Sequence, residues 1–258
     1  MSGPAASVSR RKPLPSLLAG AMRALNRVTS FVPPPPSDKD GVQEKIVVVQ
    51  VHPNGKDPSF TLALGEAVRD SLKDAGHQVR VTNLYQEQFQ AALGGQEHRG
   101  FMTAFRDGKV TEDVKGHVDD LQWCSGLVLC YPTWWYSFPA ILKGWLDRTL
   151  MPGVAFDLPN GVEKPHPKTG FISRLTNIRK AGYCTIRINV GMVTTFGNSF
   201  WNVRYVGDPG RRIVSRGLRP LFHPECTLLW KGLYDVEKCP PQDRSAFLED
   251  VGRSFRDF

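Results

Sequence analysis

The nine residues Tyr131-Pro132-Thr133-Trp134-Trp135-Tyr136-Ser137-Phe138-Pro139 place five aromatic side chains in one short stretch. They stand between a run of strand character and one of helix character, so they form a turn. A surface turn has little reason to hold so much apolar area. Either the rings enter a core or a subunit interface, or they wall the pocket of a flat ligand. An isoalloxazine ring is such a ligand, needing an apolar shelf for its faces and backbone N–H groups near N1, O2 and N5.

Two further loops carry groups of the same kind. His52-Pro53-Asn54-Gly55-Lys56-Asp57-Pro58-Ser59-Phe60 leads from an apolar run into a helix. Free amides and the helix dipole there favour an anion, and His52, Lys56 and Ser59 add donors suited to phosphate. Neither GxxxxGK[ST] nor GxGxxG is present, and a polar turn capped by Ser59 is the plain alternative. Val193-Thr194-Thr195-Phe196-Gly197-Asn198 offers two hydroxyls and a glycine to a ring edge or a pyrophosphate. It reads equally as a strand-ending turn. Arg211, Arg212, Arg216 and Arg219 recur at helical spacing and read as a solvated face.

The elements that position these loops alternate. Lys45–Val51 is a β-branched run of the kind found in buried parallel strands. A helix follows, with Phe60, Leu64, Ala67, Val68 and Leu72 on one face and Gly76 at its C-terminal cap. Strands are expected at Gln78–Leu84, Gly126–Tyr131, within Gly182–Val193 and at Thr227–Tyr234. Helices are expected at 113–122, from a Ser137 cap to Leu150, at Asp208–Leu221 and at Gln242–Phe255. Five strands alternating with five helices predict a doubly wound α/β sheet with right-handed crossovers. Ligands of such sheets sit outside the strands' carboxyl ends, which points to loops 52–59, 132–137 and 194–207.

Residues 1–44 stand apart. The chain has 258 residues and a formal net charge of +8, yet the first 37 hold Arg10, Arg11, Lys12, Arg23 and Arg27 with no Asp or Glu. The basic charge therefore describes mainly a tail, and nucleic acid is not an expected partner. Leu14, Leu18, Ala21, Leu25, Val28 and Val32 form one helical stripe that ends at Pro33-Pro34-Pro35-Pro36. The composition is that of a mitochondrial transit peptide. A disordered tail and a retained segment docking on a partner or a membrane surface through residues 14–32 are the alternatives. No run approaches the ~18 apolar residues of a transmembrane helix. The five cysteines, Cys124, Cys130, Cys184, Cys226 and Cys239, form no CxxC and read as core residues rather than disulfides or metal ligands.

Taken together, Tyr131-Pro132-Thr133-Trp134-Trp135-Tyr136-Ser137-Phe138-Pro139-Ala140-Ile141-Leu142-Lys143-Gly144-Trp145-Leu146-Asp147-Arg148, followed by Pro152-Gly153-Val154-Ala155-Phe156, resembles the signature of flavodoxin-like NAD(P)H:quinone oxidoreductases. That family includes DT-diaphorase and bacterial NAD(P)H-dependent oxidoreductases. The resemblance spans residues 45–258, and Gly207-Asp208-Pro209-Gly210-Arg211-Arg212 is most like the bacterial branch. It implies a flavodoxin-like five-stranded parallel sheet of order 2-1-3-4-5, a homodimer, and a flavin, usually FAD with FMN as the alternative. It also implies hydride transfer from NADH or NADPH through flavin N5 to a quinone-like acceptor.

Residue by residue, the resemblance assigns His52, Ser59 and Phe60 to the phosphate-side loop and Gln96 to a cofactor contact. It assigns Pro132, Thr133, Trp134, Trp135 and Tyr136 to the ring-edge loop, with the last three in the catalytic role of steadying the reduced ring. Thr194, Thr195 and Gly197 match a Thr-Thr-x-Gly cofactor loop, and Phe156 and Leu158 the substrate-lining positions. Thr61 stands where DT-diaphorase has asparagine, and Phe196 where it has a glycine, whose replacement by a bulky residue would crowd the flavin. Phe196 and the tail motivate a second reading, a flavodoxin-like accessory subunit of a larger mitochondrial assembly.

Overall fold

The computed structural model describes residues 43–53, 59–178, 189–224, 226–256 and 258. Strands β1 (Lys45–Gln50), β2 (Gln78–Asn83), β3 (Gly126–Thr133), β6 (Asn189–Phe196) and β7 (Thr227–Leu233) form one parallel sheet in the order β2-β1-β3-β6-β7. Among its own five strands that order is 2-1-3-4-5, as expected. The two-residue strands β4 (Phe156–Asp157) and β5 (Ile172–Ser173) pair separately and antiparallel. Residues 182–188 of the fourth expected strand lie outside the described residues.

Both faces of the sheet are covered, which is why its inner strands β1 and β3 are apolar on both sides, whereas the edge strand β2 is largely polar and exposed. Ile46, Val48, Val128 and Val193 pack with Leu64, Val68 and Leu72 of α1 (Phe60–Asp74) and Phe247, Val251 and Phe255 of α7 (Pro241–Arg256). Val47, Val49, Leu127, Leu129 and Met192 pack with Val114, Val118 and Leu121 of α3 (Glu112–Trp123) and Leu142, Trp145 and Leu146 of α4 (Ala140–Thr149). Each such aliphatic side chain contributes about 1.5–3 kcal/mol of burial. Cys124 and Cys130 lie in these cores, where burial pushes their thiols up to about 12. Cys184 lies outside the described residues.

Several boundaries differ from expectation. Ser137 does not cap α4; it pairs with Trp134, and Pro139 takes the cap position with an extended backbone. The stretch expected as one helix over 208–221 divides into α6 (Pro209–Arg212), a π-helical segment Ile213–Leu218 and a 3-10 turn Arg219–Leu221. Two short helices were not expected, α2 (Gly95–Gly100) and α5 (Phe200–Val206).

The segment between β2 and α3 is pinned by Arg148 of α4, which is almost fully buried. Its Nε donates to both Glu97 carboxylate oxygens at 3.0 Å, and its terminal nitrogens donate to Asp113, Thr111 Oγ1 and the Gln90 carbonyl at 2.6–3.1 Å. Burial opposes the guanidinium charge, but Asp113 and Glu97 outweigh it and hold its pKa above the ordinary value. Close packing requires Gly144 on the same helix, because a Cβ there would lie 2.1 Å from the Ala91 carbonyl oxygen.

Candidate active site

The aromatic stretch continues β3 into a tight two-residue turn. Trp134 N–H donates to Ser137 O at 3.1 Å and Ser137 N–H donates to Trp134 O at 3.0 Å. Between them Trp135 and Tyr136 both hold positive φ, 48° and 63°. This is the pattern of a type I′ turn, normally filled by Asn or Gly. Bulky residues in that region cost about 1–3 kcal/mol each, and such strain gathers at functional sites. The geometry leaves the Trp135 and Tyr136 amides outside the turn's own hydrogen bonds, whereas the Trp134 amide is used on Ser137. Of the three amides expected to face a ligand, two are therefore available.

The same turn explains where the rings go. Tyr131 and Phe138 form an edge-to-face pair in the core with centroids 5.1 Å apart, while Trp134 is 42% exposed and Trp135 94% exposed. The stretch thus divides into core rings and surface rings. Beneath the turn, Gly210 N–H of α6 donates to Tyr136 O at 3.3 Å. Asp208, at positive φ and buried, and the buried Tyr131 hydroxyl complete this underside; Asp208 Oδ1 and Tyr131 Oη find no hydrogen-bond partner among the described residues. Burial raises the Asp208 carboxyl above its ordinary value against the pull of Arg211, Arg204 and Arg212. Burial, with Asp208 nearby, lifts the Tyr131 phenol well above its usual value and pushes Tyr234 up to about 12.

At the neighbouring loop, Ser59 caps α1, its hydroxyl accepting the Leu62 N–H at 3.4 Å, and no acidic residue occupies the helix's first turn. The helix dipole there is free to meet an anion. Ser59 and Phe60 are half-buried, as is His52, whose burial lowers its pKa and favours the neutral ring. Lys56 lies outside the described residues.

The third loop differs most from expectation. Thr194 and Thr195 are 0% and 5% exposed, and their hydroxyls are bonded to Thr133 Oγ1 at 2.8 Å and Thr61 Oγ1 at 3.1 Å. Phe196 turns into the core and stacks on Tyr234 at 4.3 Å and 10°, so its ring does not crowd the surface where Gly197 is exposed. Pro132 is buried and Thr133 half-buried. Gln96 is exposed on α2 beside the pinned Glu97, and among the described residues no hydrogen bond joins it to the turn. Phe156 packs against Phe171 at 4.7 Å on the β4–β5 excursion, with Leu158 exposed next to it. Thr61, Tyr131 and Asp208 were missed as site residues. The sequence signal for Thr61 was its departure from asparagine, and for Asp208 the Gly-Asp-Pro-Gly corner.

Comparison with known proteins now identifies the family. The family described as "Flavodoxin-like fold" matches residues 44–183, more than half of the chain, and the chain belongs to it. An uncharacterized NAD(P)H oxidoreductase of Haemophilus influenzae is 30% identical over 151 residues, covering 58% of this chain and 68% of that protein. Ribosyldihydronicotinamide dehydrogenase [quinone] of Pongo abelii is 32% identical over 129 residues, 45% of this chain and 55% of that protein. The chain thus spans about half the length of several curated relatives it matches. Among solved structures, an FMN-dependent NADH-azoreductase from Bacillus anthracis in complex with FMN superposes with a TM-score of 0.64 at 14% identity, covering 83% of this chain and 98% of that one. Among the described residues no helix is long and apolar enough to cross a membrane.

Proposed function

We propose that the chain is a flavin-dependent NAD(P)H oxidoreductase that reduces a quinone-like acceptor. The observation that carries this reading is the Trp135–Tyr136 turn at the carboxyl edge of the sheet. It combines an exposed aromatic wall with two backbone N–H groups not used by the turn. A flavin fits this chemistry: the Trp134 and Trp135 rings offer a shelf, the Trp135 and Tyr136 amides face a ring edge, and the Ser59-capped end of α1 suits a phosphate. When bound, the flavin supplies two-electron hydride transfer between the nicotinamide and the acceptor.

The chain's own work is orientation and electrostatics. Holding two reactants in line supplies about 7–11 kcal/mol of a barrier, and one preorganised donor aimed at developing charge about 2.7–4 kcal/mol. The turn is preorganised because its strained backbone is fixed from below by Gly210. The resemblance adds Gly197 and Gln96 to the cofactor side, and Phe156 and Leu158 to the acceptor side. FAD is the cofactor the resemblance favours, with FMN, which the Bacillus anthracis azoreductase holds, as the alternative. A homodimer, and a mitochondrial destination encoded by residues 1–44, belong to the same reading. One motive for the accessory-subunit alternative weakens, because the Phe196 ring is buried in the core against Tyr234.

The test is an absorbance spectrum of gently purified protein, then NADH or NADPH added under argon, then a quinone. Flavin bands that bleach with one nucleotide and return with the quinone support the reading. A colourless protein that takes up neither FAD nor FMN refutes it and leaves the fold standing.

A further inference from the structure

Thr194 and Thr195 are consecutive on β6, so their side chains leave on opposite faces of the sheet. Thr194 shares the face of Met192 and Phe196 and meets Thr133, one residue before the aromatic turn. Thr195 leaves on the other face and meets Thr61, two residues beyond the Ser59 cap of α1. Thr61 and Thr195 are each 5% exposed and Thr194 has no exposed surface. With so little surface, these side chains offer a bound molecule almost nothing to touch. We infer that Thr61 and Thr195 are positioning residues: their hydroxyl bridge, with the Thr133–Thr194 bridge on the opposite face, fixes the N-terminal end of α1 and the ring-edge turn to one point of β6.

The inference deepens the proposed flavin site and rests on that reading. It gives Thr61 a role that the asparagine of DT-diaphorase at the matching position would not fill in the same way. A threonine hydroxyl is short enough to stay buried between helix and strand, and it can donate to or accept from Thr195. The bridge therefore acts on the cofactor through the position of the helix end rather than through contact.

The experiment uses the full chain with Thr61→Val, Thr195→Val, the double valine, and Thr61→Ser and Thr195→Ser. FMN and FAD are titrated by flavin fluorescence, and melting of the flavin-free protein is measured in parallel. Each single valine should weaken flavin binding by about three- to tenfold, the size of one hydrogen bond. The serines should restore it, and the double valine should be no worse than the weaker single, since the partners act as one unit. Loss in Thr195→Val with Thr61→Val unchanged would show direct contact by Thr195 and overturn the inference, as would strictly additive losses. Wild-type protein that binds no flavin would defeat the function reading alone. The melting cycle then still decides the bridge, with non-additive losses supporting it and additive ones refuting it.

Discussion

Replacing Arg148 by methionine would keep most of the apolar stem and remove the charge that organises Glu97, Asp113, Thr111 and the Gln90 carbonyl. Breaking a buried ion pair from one side costs about 3–5 kcal/mol. The low end applies, because the Asp113 side chain is 45% exposed and rehydrates, whereas that of Glu97 is only 12% exposed and does not. At about 2–4 °C per kcal/mol for a chain of this size, the melting point should fall by roughly 6–12 °C at pH 7. The pH dependence has a definite sign. The Arg148 hydrogen bond, assisted by Thr111, holds the Asp113 carboxyl below its ordinary value of 3.8. Its stabilisation is present above that value and is lost as pH falls through the lower folded pKa. The gap between Arg148→Met and wild type should therefore narrow on acidification below pH 4. Melting curves by circular dichroism from pH 3 to pH 7 measure both effects. A variant melting within a degree of wild type at pH 7, or a gap unchanged at low pH, would refute the assignment of Arg148 as the pin of this segment.

Asp208 predicts the opposite pH sign. Its folded pKa is raised by burial, so its cost is absent below the ordinary value and grows as pH rises through the folded pKa; Asp208→Asn should gain stability relative to wild type between pH 4 and pH 7, and a constant difference would contradict this. Trp135→Gly removes a bulky residue from positive φ, so the flavin-free protein should melt at or above wild type while flavin fluorescence titration reports weaker binding. A lower melting point would mean that the turn is not strained. Gly144→Ala should destabilise by about 1–3 kcal/mol in urea unfolding, because the new methyl meets the Ala91 backbone rather than a movable side chain; a neutral result would show that the Ala91 segment yields.

The centre of the sheet was legible because its inner strands are buried on both faces, and β-branched runs such as Ile46–Val49 announce that burial directly. The aromatic turn was legible as a site because its composition departs from what a surface turn needs. Its internal division was not, since Tyr131 and Trp135 are both aromatic and only backbone geometry sends one inward and the other out. Ser137 has the chemistry of a helix cap, but the hairpin bonds to Trp134 claimed its backbone first. Helix α5 holds five apolar residues in seven, Phe200, Trp201, Val203, Tyr205 and Val206, which mark no single face, and went unread. The Phe196 side chain was judged by what it replaces, whereas stacking on Tyr234 determines where it lies. Thr194 and Thr195 matched a cofactor motif by type, and tertiary packing gave their hydroxyls other partners.

The paired threonines of β6 also bear on how the chain finds its alignment during folding. Parallel strands distant in sequence must close long loops before their ladder rewards them, and β-branched runs offer several similar alignments. A slip of β6 by one position inverts every side chain. It would send Phe196 to the α1 side, away from Tyr234, and separate both hydroxyl pairs at once. Two polar contacts on opposite faces thus penalise the misaligned sheet, and so does Gly191, where any Cβ brought in by the slip would lie 2.6 Å from the Phe255 ring.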